Sequence, residues 1–165
     1  MVNSDGVIGI IQEPEPGKAS LGERVLCLDK IMDPGNMGTI IRSAEAFGYK
    51  DILLMPGCVD IYNPKTLRAS MGSVYRLDIR EIDEEGILEL KKQSYKLISS
   101  SLEKSIDIRD IKLDSKYILV IGSESHGISK FFQESSDVFV KIPMQGQVES
   151  LNAGVASSIL MYELS

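Results

Sequence analysis

Three polar residues near the C-terminus stand where a glycine-containing loop runs into an apolar helix. Glu149, Ser150 and Asn152 lie at this junction, and the segment 153–162 that follows carries no charged residue. A surface helix has a polar face, so this helix is expected to be buried. The first backbone N–H groups of a helix have no partner within it, and polar side chains beside them create a hydrogen-bonding cluster. The pattern predicts a small-ligand site.

Apolar residues on either side of the same loop could form the wall of that site. Ile142 and Met144 flank Pro143, and Leu151 follows the loop. Ligand pockets combine apolar walls with a few polar groups that orient the ligand. The plainer interpretation, that apolar residues of this kind are simply core, holds for most of them.

A second loop leaves the apolar run at 117–121 and contains two glycines, Gly122 and Gly127, where backbone can approach a ligand closely. Glu124 lies between them as a candidate site carboxylate. Capping of the helix that follows is an equally good interpretation of this residue. His126 is the single histidine of the chain, and because a lone loop histidine is usually solvated, we assign it no role.

The helix predicted over residues 36–47 has an apolar stripe on one side and Arg42 on the other. The plainer interpretation of Arg42 is a solvated ion pair with Glu45, and for this helix alone it is preferred over a catalytic role. Asn36, at the start of the helix, is in the same way explained as an N-cap.

Short apolar runs alternate with helical patterns, which predicts a mostly parallel β-sheet flanked by helices. The run at 117–121 is apolar throughout, as expected for a strand covered on both faces. In open α/β sheets, ligands bind beyond the carboxyl ends of the strands, so the loops at 29–35, 122–129 and 143–149 are the expected site. The predicted elements cover 25–28, 36–47, 52–55, 64–69, 74–79, 86–94, 97–99, 117–121, 129–134, 138–142 and 150–164.

Composition argues against several classes of protein. A formal charge of −6 disfavours broad attraction to nucleic acid, although it leaves a local basic cleft open. Two cysteines and one histidine cannot assemble a metal site. The sequence has neither a P-loop with Gly-Lys-Ser/Thr nor a Gly-x-Gly-x-x-Gly turn after a strand, the two glycine-rich motifs that bind phosphates. The apolar runs are too short for a membrane span and the N-terminus lacks a signal-peptide pattern, so we expect a cytoplasmic protein with no membrane or metal partner.

Three blocks, in this order, resemble the signature of the SpoU branch of the SPOUT superfamily, the RNA ribose 2′-O-methyltransferases. They are DPGNMGTIIRSAEAFG at 33–48, IGSESHGIS at 121–129 and IPMQGQVESLN at 142–152, and a fourth block, NPKTLRASMG at 63–72, is also similar. Each block alone is a weak signal, but the ordered trio is specific. The resemblance covers the chain from about residue 21 onward and implies an α/β SPOUT fold with a C-terminal deep trefoil knot.

The resemblance also implies a set of site residues by position. Asn36 and Arg42 match the first motif, Glu124 the second, and Ser150 with Asn152 the third; these are the expected catalytic residues. The expected cofactor is S-adenosyl-L-methionine, held in the knot. The residues expected to contact it are Ser100, Ile121, Gly122, Ile142, Met144 and Leu151.

The implied reaction is attack of a ribose 2′-hydroxyl of rRNA or tRNA on the methyl group of the cofactor, by a homodimer. A guanidinium is a poor base, so we expect Arg42 to hold an RNA phosphate and lower the pKa of the hydroxyl. One alternative is a non-catalytic knotted RNA-binding or assembly protein, against which the retained motif side chains count. Another is a methyltransferase for a base nitrogen, against which the spacing of Asn36 and Arg42 counts.

Two positions depart from the family pattern. Ser125 replaces a common glycine, which would alter the loop backbone, and Ala153-Gly154 replaces Val-Ser, which would loosen the dimer helix. We expect residues 1–22 to form an N-terminal strand, at 7–11, and a linker, and residues 23–165 to form the catalytic domain. Many relatives have an N-terminal RNA-binding domain, and the acidic balance favours an excised catalytic domain over a compact single-domain member.

Overall fold

The computed structural model describes residues 20–101, 105–113, 116–123, 125–148 and 150–165. The strand expected at 7–11 and most of the expected linker lie outside the described residues, as do Glu124 and Glu149. Within the described part of the chain, no helix has the length and apolar character needed to cross a bilayer.

Seven strands form one sheet in the described residues, in the order β3-β2-β1-β6-β4-β7-β5, and every neighbouring pair is parallel. The predicted mostly parallel sheet is therefore confirmed. The strands are β1 (Arg24–Asp29), β2 (Asp51–Leu54), β3 (Asp78–Glu81), β4 (Lys96–Ser100), β5 (Ile106–Asp107), β6 (Tyr117–Gly122) and β7 (Val138–Lys141).

Four α-helices connect these strands in the described residues and a fifth, α5, follows the last strand: α1 (Pro34–Ala46), α2 (Pro64–Ser70), α3 (Glu84–Lys92), α4 (Lys130–Ser135) and α5 (Ala153–Glu163). Single 3₁₀ turns lie at Ser73–Tyr75 and Ile108–Asp110. The predicted element at 74–79 corresponds to two separate pieces, the first 3₁₀ turn and the start of β3.

The central strands are buried on both faces, as their uninterrupted apolar runs predict. Along β6, Leu119 and Ile121 pack into one core cluster while Ile118 and Val120 pack into the other. All four are at most 2% exposed. Helices on both faces of the sheet therefore exclude water from the strands that position the candidate site.

Helix α1 begins two residues earlier than predicted, because Asp33 and not Asn36 is its N-cap. The Asp33 carboxylate accepts the backbone N–H of Asn36 at 2.8 Å, and Pro34 occupies the first helical position, which needs no N–H. The interpretation of Asn36 as an N-cap is thus wrong. The backbone N–H of Asn36, and after it the Lys65 ammonium, lowers the pKa of the Asp33 carboxyl.

A buried pair of tyrosines ties the end of α5 to the sheet. The Tyr117 hydroxyl donates to the carbonyl of Leu164 at 2.8 Å, and the Tyr49 hydroxyl lies 2.8 Å from the Tyr117 hydroxyl. Since each hydroxyl has one proton, Tyr49 must donate to Tyr117. Burial is the main cause that raises the pKa of both phenols. This chain of hydrogen bonds fixes the C-terminal end of the helix whose other end borders the site.

Candidate functional site

A cavity of about 590 Å³ opens where β4, β6 and β7 end. Three chain segments far apart in sequence form its wall: the end of β4, the loop after β6, and the segment from β7 to α5. All six residues predicted to contact a cofactor lie on this wall, and so does Ser150. The six are Ser100, Ile121, Gly122, Ile142, Met144 and Leu151.

Gly122 is required by a close approach of two backbone segments. A Cβ atom at this position would lie 2.2 Å from the carbonyl carbon of Gly127 and 2.4 Å from the nitrogen of Ile128. Both are backbone atoms that cannot rotate away. The loop closes through a pair of hydrogen bonds between Ser123 and Gly127, and Gly127 has a positive φ of 65°. The two glycines predicted to matter here do so for different reasons, one steric and one conformational.

Asp29 holds the far end of the same loop, and sequence reasoning did not identify it. Its side chain is 1% exposed, and its Oδ2 accepts the backbone N–H of Ser129 at 2.6 Å. Asp29 also lies opposite Gly122 in the pairing of β1 with β6. A buried carboxylate must be hydrogen-bonded, so this contact fixes the loop relative to the central strand. An acidic residue directly after an apolar strand was the available signal.

The first and third sequence motifs meet through two asparagines. The Asn152 amide nitrogen donates to Oδ1 of Asn36 at 2.9 Å, although 116 residues separate them. The Oδ1 atom of Asn152 accepts the backbone N–H groups of Gly154 and Val155 and so caps α5. Both asparagines lie beside the cavity and not on its wall. Their hydrogen bond therefore joins the N-terminal ends of α1 and α5.

Arg42 is exposed and, among the described residues, has no hydrogen-bond or ion-pair partner. The predicted pair with Glu45 is wrong, because Glu45 binds Arg76, whose Nη2 lies 2.8 Å from Oε2. This hydrogen bond is the main cause that lowers the pKa of Glu45 to about 2. Arg42 lies six residues after Asn36, about 9 Å along the helix at 1.5 Å per residue. The guanidinium is therefore near the junction of the motifs and available to another molecule.

Ser125 and His126 are neighbours in the loop after β6. His126 lies on the cavity wall, and its Nδ1 is 2.7 Å from the Ser125 hydroxyl. Ser125, at the first departure from the family pattern, does not have a positive φ. The serine therefore fits the loop without backbone strain and orients the histidine.

The second departure, at Ala153-Gly154, lies where α5 packs on α1. A Cβ on Gly154 would approach Thr39 of α1 to 3.2 Å, so the glycine permits this close contact. One side of α5 is buried, as predicted, but Val155 and Tyr162 on another side remain 48% and 64% exposed. The prediction that α5 is buried is therefore correct for only part of the surface of the helix.

The cavity can hold a ligand that combines apolar and polar parts. Aliphatic side chains face hydroxyl groups and the loop backbone across a space typical of small-molecule sites. Within the described residues, no cluster of histidine, cysteine or carboxylate side chains could hold a metal ion. The mixed lining of the cavity therefore favours an organic ligand, close to a junction whose Arg42 has no partner among the described residues.

Comparisons with known proteins agree with this geometry. Residues 23–162 match the model of the SpoU rRNA Methylase family. The chain is 33% identical over 159 residues to the 23S rRNA (guanosine(2553)-2'-O)-methyltransferase RlmP of Bacillus subtilis, covering 96% of this chain and 64% of that protein. The chain thus spans less than two thirds of that relative.

Two solved structures are also similar. An AdoMet-bound rRNA methyltransferase from Sinorhizobium meliloti superposes with a TM-score of 0.81 at 32% identity, over 87% of this chain and 56% of that one. The SpoU methyltransferase AviRb from Streptomyces viridochromogenes, in complex with AdoMet, gives 0.78 at 30% identity, over 84% of this chain and 58% of that one. With the family model covering residues 23–162, the chain belongs to the SpoU rRNA Methylase family.

Proposed function

We propose that this chain transfers a methyl group from S-adenosyl-L-methionine to a ribose 2′-hydroxyl of rRNA or tRNA, with residues 23–165 as the catalytic domain. The observation that carries the proposal is the convergence on one cavity of the six predicted residues, which come from three separate segments of the chain. Two AdoMet-bound relatives and the 2′-O specificity of RlmP support it. A cytoplasmic location follows from such a substrate and is part of the proposal.

The residues present fit this cofactor. A volume of about 590 Å³ is within the usual range for small-molecule pockets. Ile142, Met144 and Leu151 offer an apolar surface for an adenine ring, while Gly122 brings the loop backbone close enough to recognise polar edges. When bound, the cofactor supplies an electrophilic methyl group on a sulfonium, so the protein has mainly to align the two reactants.

The remaining motif residues would hold the RNA. Arg42 is a permanent cation and a poor base, so its role is to bind an RNA phosphate and favour the ionised form of the attacking hydroxyl. Ser150, on the cavity wall, offers a hydroxyl beside the reacting atoms. The hydrogen bond between Asn36 and Asn152 holds α1, which carries Arg42, against the N-terminus of α5. Glu124, which matches the second motif, completes the proposed catalytic set.

A homodimer and a C-terminal trefoil knot are part of the same proposal. Arg42 is not on the cavity wall of its own protomer, and a dimer could bring it to the cavity of the partner. Val155 and Tyr162 are seven residues apart on α5, so they lie on one side of the helix and could contact a second copy. Family membership supports the knot, with the segment before α5 passing through an earlier loop.

The test combines cofactor binding with mapping of the product. Isothermal titration calorimetry should detect S-adenosyl-L-methionine binding to the protein. Incubation with labelled cofactor and RNA, followed by nuclease mapping, should place the methyl group on a ribose 2′-oxygen. Binding without transfer to any rRNA or tRNA would favour the non-catalytic alternative, and a methyl group on a base nitrogen would favour the other.

The role of Arg42 has its own test. We expect Arg42→Ala and Arg42→Lys to lower the single-turnover rate by about 100-fold or more, the range for removal of one transition-state donor. Cofactor affinity should remain nearly unchanged, because Arg42 does not line the cavity of its own protomer and its proposed contact is with the RNA. Lys92→Ala is the control, since it removes an exposed cation from α3. Near-normal rates for both Arg42 variants would show that this assignment is wrong.

A further inference from the structure

The five residues after α2 carry two exposed large apolar side chains. Met71 is 66% exposed and Tyr75 is 40% exposed. Met71 also caps α2 with a φ of 51°, a left-handed conformation that is unfavourable for residues other than glycine. Neither the Tyr75 hydroxyl nor the Met71 side chain has a polar or ring partner among the described residues. A strained backbone that presents an apolar side chain to solvent is a feature of binding sites.

Contacts on either side place this segment beside Arg42. Gly38 of α1 packs so closely on α2 that an added Cβ would lie 2.5 Å from the Cβ of Ala69. Two turns further along α1, Glu45 binds Arg76, which follows the segment directly. Residues 71–75 must therefore run along the turn of α1 that lies between Gly38 and Glu45. Arg42 is on that turn and on the same side of the helix.

The surroundings of this segment are basic, although the whole chain has a charge of −6. Residues 33–47 and 63–77 contain four cations and two carboxylates. Both carboxylates are already in ion pairs, one between Asp33 and Lys65 and the other between Glu45 and Arg76. Arg42 and Arg68 are exposed and, among the described residues, have no partner. An anionic molecule would satisfy this local excess of positive charge.

We propose that Met71 and Tyr75 form a shelf on which one base of the RNA substrate stacks, while Arg42 holds a neighbouring phosphate. The inference rests on the proposed function and adds the residues that hold an unpaired nucleotide. Sequence-tolerant stacking on aromatic side chains beside cationic groups is how proteins bind single-stranded RNA. A second copy seated on Met71 and Tyr75 is a poorer occupant, because a two-fold contact centred on these residues would bring Arg68 of both copies together, whereas the proposed dimer contact lies on α5.

The test compares strands that have bases with strands that lack them. The affinity of the full chain is measured for a labelled single-stranded RNA of about 12 nucleotides and for an abasic sugar-phosphate strand of equal length. We expect Tyr75→Ala to weaken RNA binding roughly 5- to 150-fold, the range for loss of one stacked base, and Met71→Ala to weaken it less. Binding of the abasic strand should not change, because its phosphates remain.

Two further variants serve as controls. Tyr75→Phe keeps the ring and should keep RNA affinity, and Leu88→Ala removes an exposed apolar side chain from α3 and should have no effect. Arg42→Ala should weaken binding of both strands. It should also make the slope of log binding constant against log salt concentration shallower by about 0.7, as expected for one lost phosphate contact.

Three results would overturn the inference. The first is that the unmodified chain binds the RNA and the abasic strand with equal affinity. The second is that Tyr75→Ala binds RNA as tightly as the unmodified chain. The third is that Tyr75→Ala self-associates more weakly in sedimentation while its RNA affinity does not change. The last would assign the surface to a second copy. Calorimetry with S-adenosyl-L-methionine separates this inference from the proposed function. Tyr75→Ala should bind the cofactor normally, and failure of the unmodified chain to bind it would count against the function alone.

Discussion

Replacement of Gly122 by alanine should damage the site by displacing a neighbouring backbone. The new Cβ would lie 2.2 Å from the Gly127 carbonyl carbon, 2.3 Å from its oxygen and 2.4 Å from the Ile128 nitrogen. Carbon atoms in contact are normally about 3.5–4.0 Å apart, so the loop must move by more than about 1 Å. The hydrogen bond from Ser129 to Asp29 holds the loop from its other end and opposes the movement.

The expected magnitudes follow from that displacement. Overpacking typically costs about 1–3 kcal/mol, which lowers the melting temperature of a domain of this size by roughly 2–12 °C. Because Gly122, Gly127 and Ile128 all line the cavity, we expect the affinity for S-adenosyl-L-methionine to fall by at least about 10-fold. A misplacement of about 1 Å can lower the rate about 100-fold. Differential scanning fluorimetry and isothermal titration calorimetry measure the first two effects.

Two other glycines separate steric from conformational causes. Gly146→Ala is the matched control, because a Cβ there meets nothing within 4 Å and the residue does not have a positive φ, so it should be neutral. Gly127→Ala has the same open space but a positive φ, and should lose about 1–2 kcal/mol of stability. If Gly122→Ala melts and binds cofactor like Gly146→Ala, the close backbone approach is not a determinant of the site.

Two more predictions concern the scaffold. Tyr117→Phe removes the donor to the Leu164 carbonyl and the acceptor for the Tyr49 hydroxyl, so it should lower the free energy of unfolding by about 1–3 kcal/mol in urea denaturation. Tyr162→Phe, which changes an exposed ring, is the control. Equal stability of the two variants would contradict the hydrogen-bond chain. Glu45 has a pKa lowered from 4.5 to about 2, so its ion pair stabilises the fold above pH 4.5 and the effect is lost as the pH falls towards 2. The melting temperature of Glu45→Gln should therefore lie below that of the unmodified chain at neutral pH and converge with it at acidic pH, and a constant difference would refute this origin.

Local patterns in the sequence were sufficient for the parallel sheet with flanking helices and for Ile142, Met144 and Leu151 on the cavity wall, whereas Ser100 and Ile121 were expected only from the family resemblance. Strands such as β6 are apolar at every position, which requires helices on both faces, and parallel strands put their following loops at one edge. Asn152 was expected at the junction of a loop and an apolar helix, and the structure places it there as the N-cap of α5, which begins three residues later than predicted. These features depend on neighbouring residues and on periodicity, so they can be read along the chain.

The pairing of side chains depended on tertiary structure. Glu45 binds Arg76 and not Arg42, although Arg42 is a helical neighbour, because the close contact of α1 with α2 brings a residue 31 positions away within reach. Asp29 meets Ser129 across 100 residues because β1 and β6 are adjacent in the sheet. The order of the strands is set by packing of the whole chain, and no local periodicity encodes it. What the sequence alone determined was which segments build the site; the fold decided that Arg42 has no partner among the described residues, because packing of α1 on α2 gives Glu45 to Arg76.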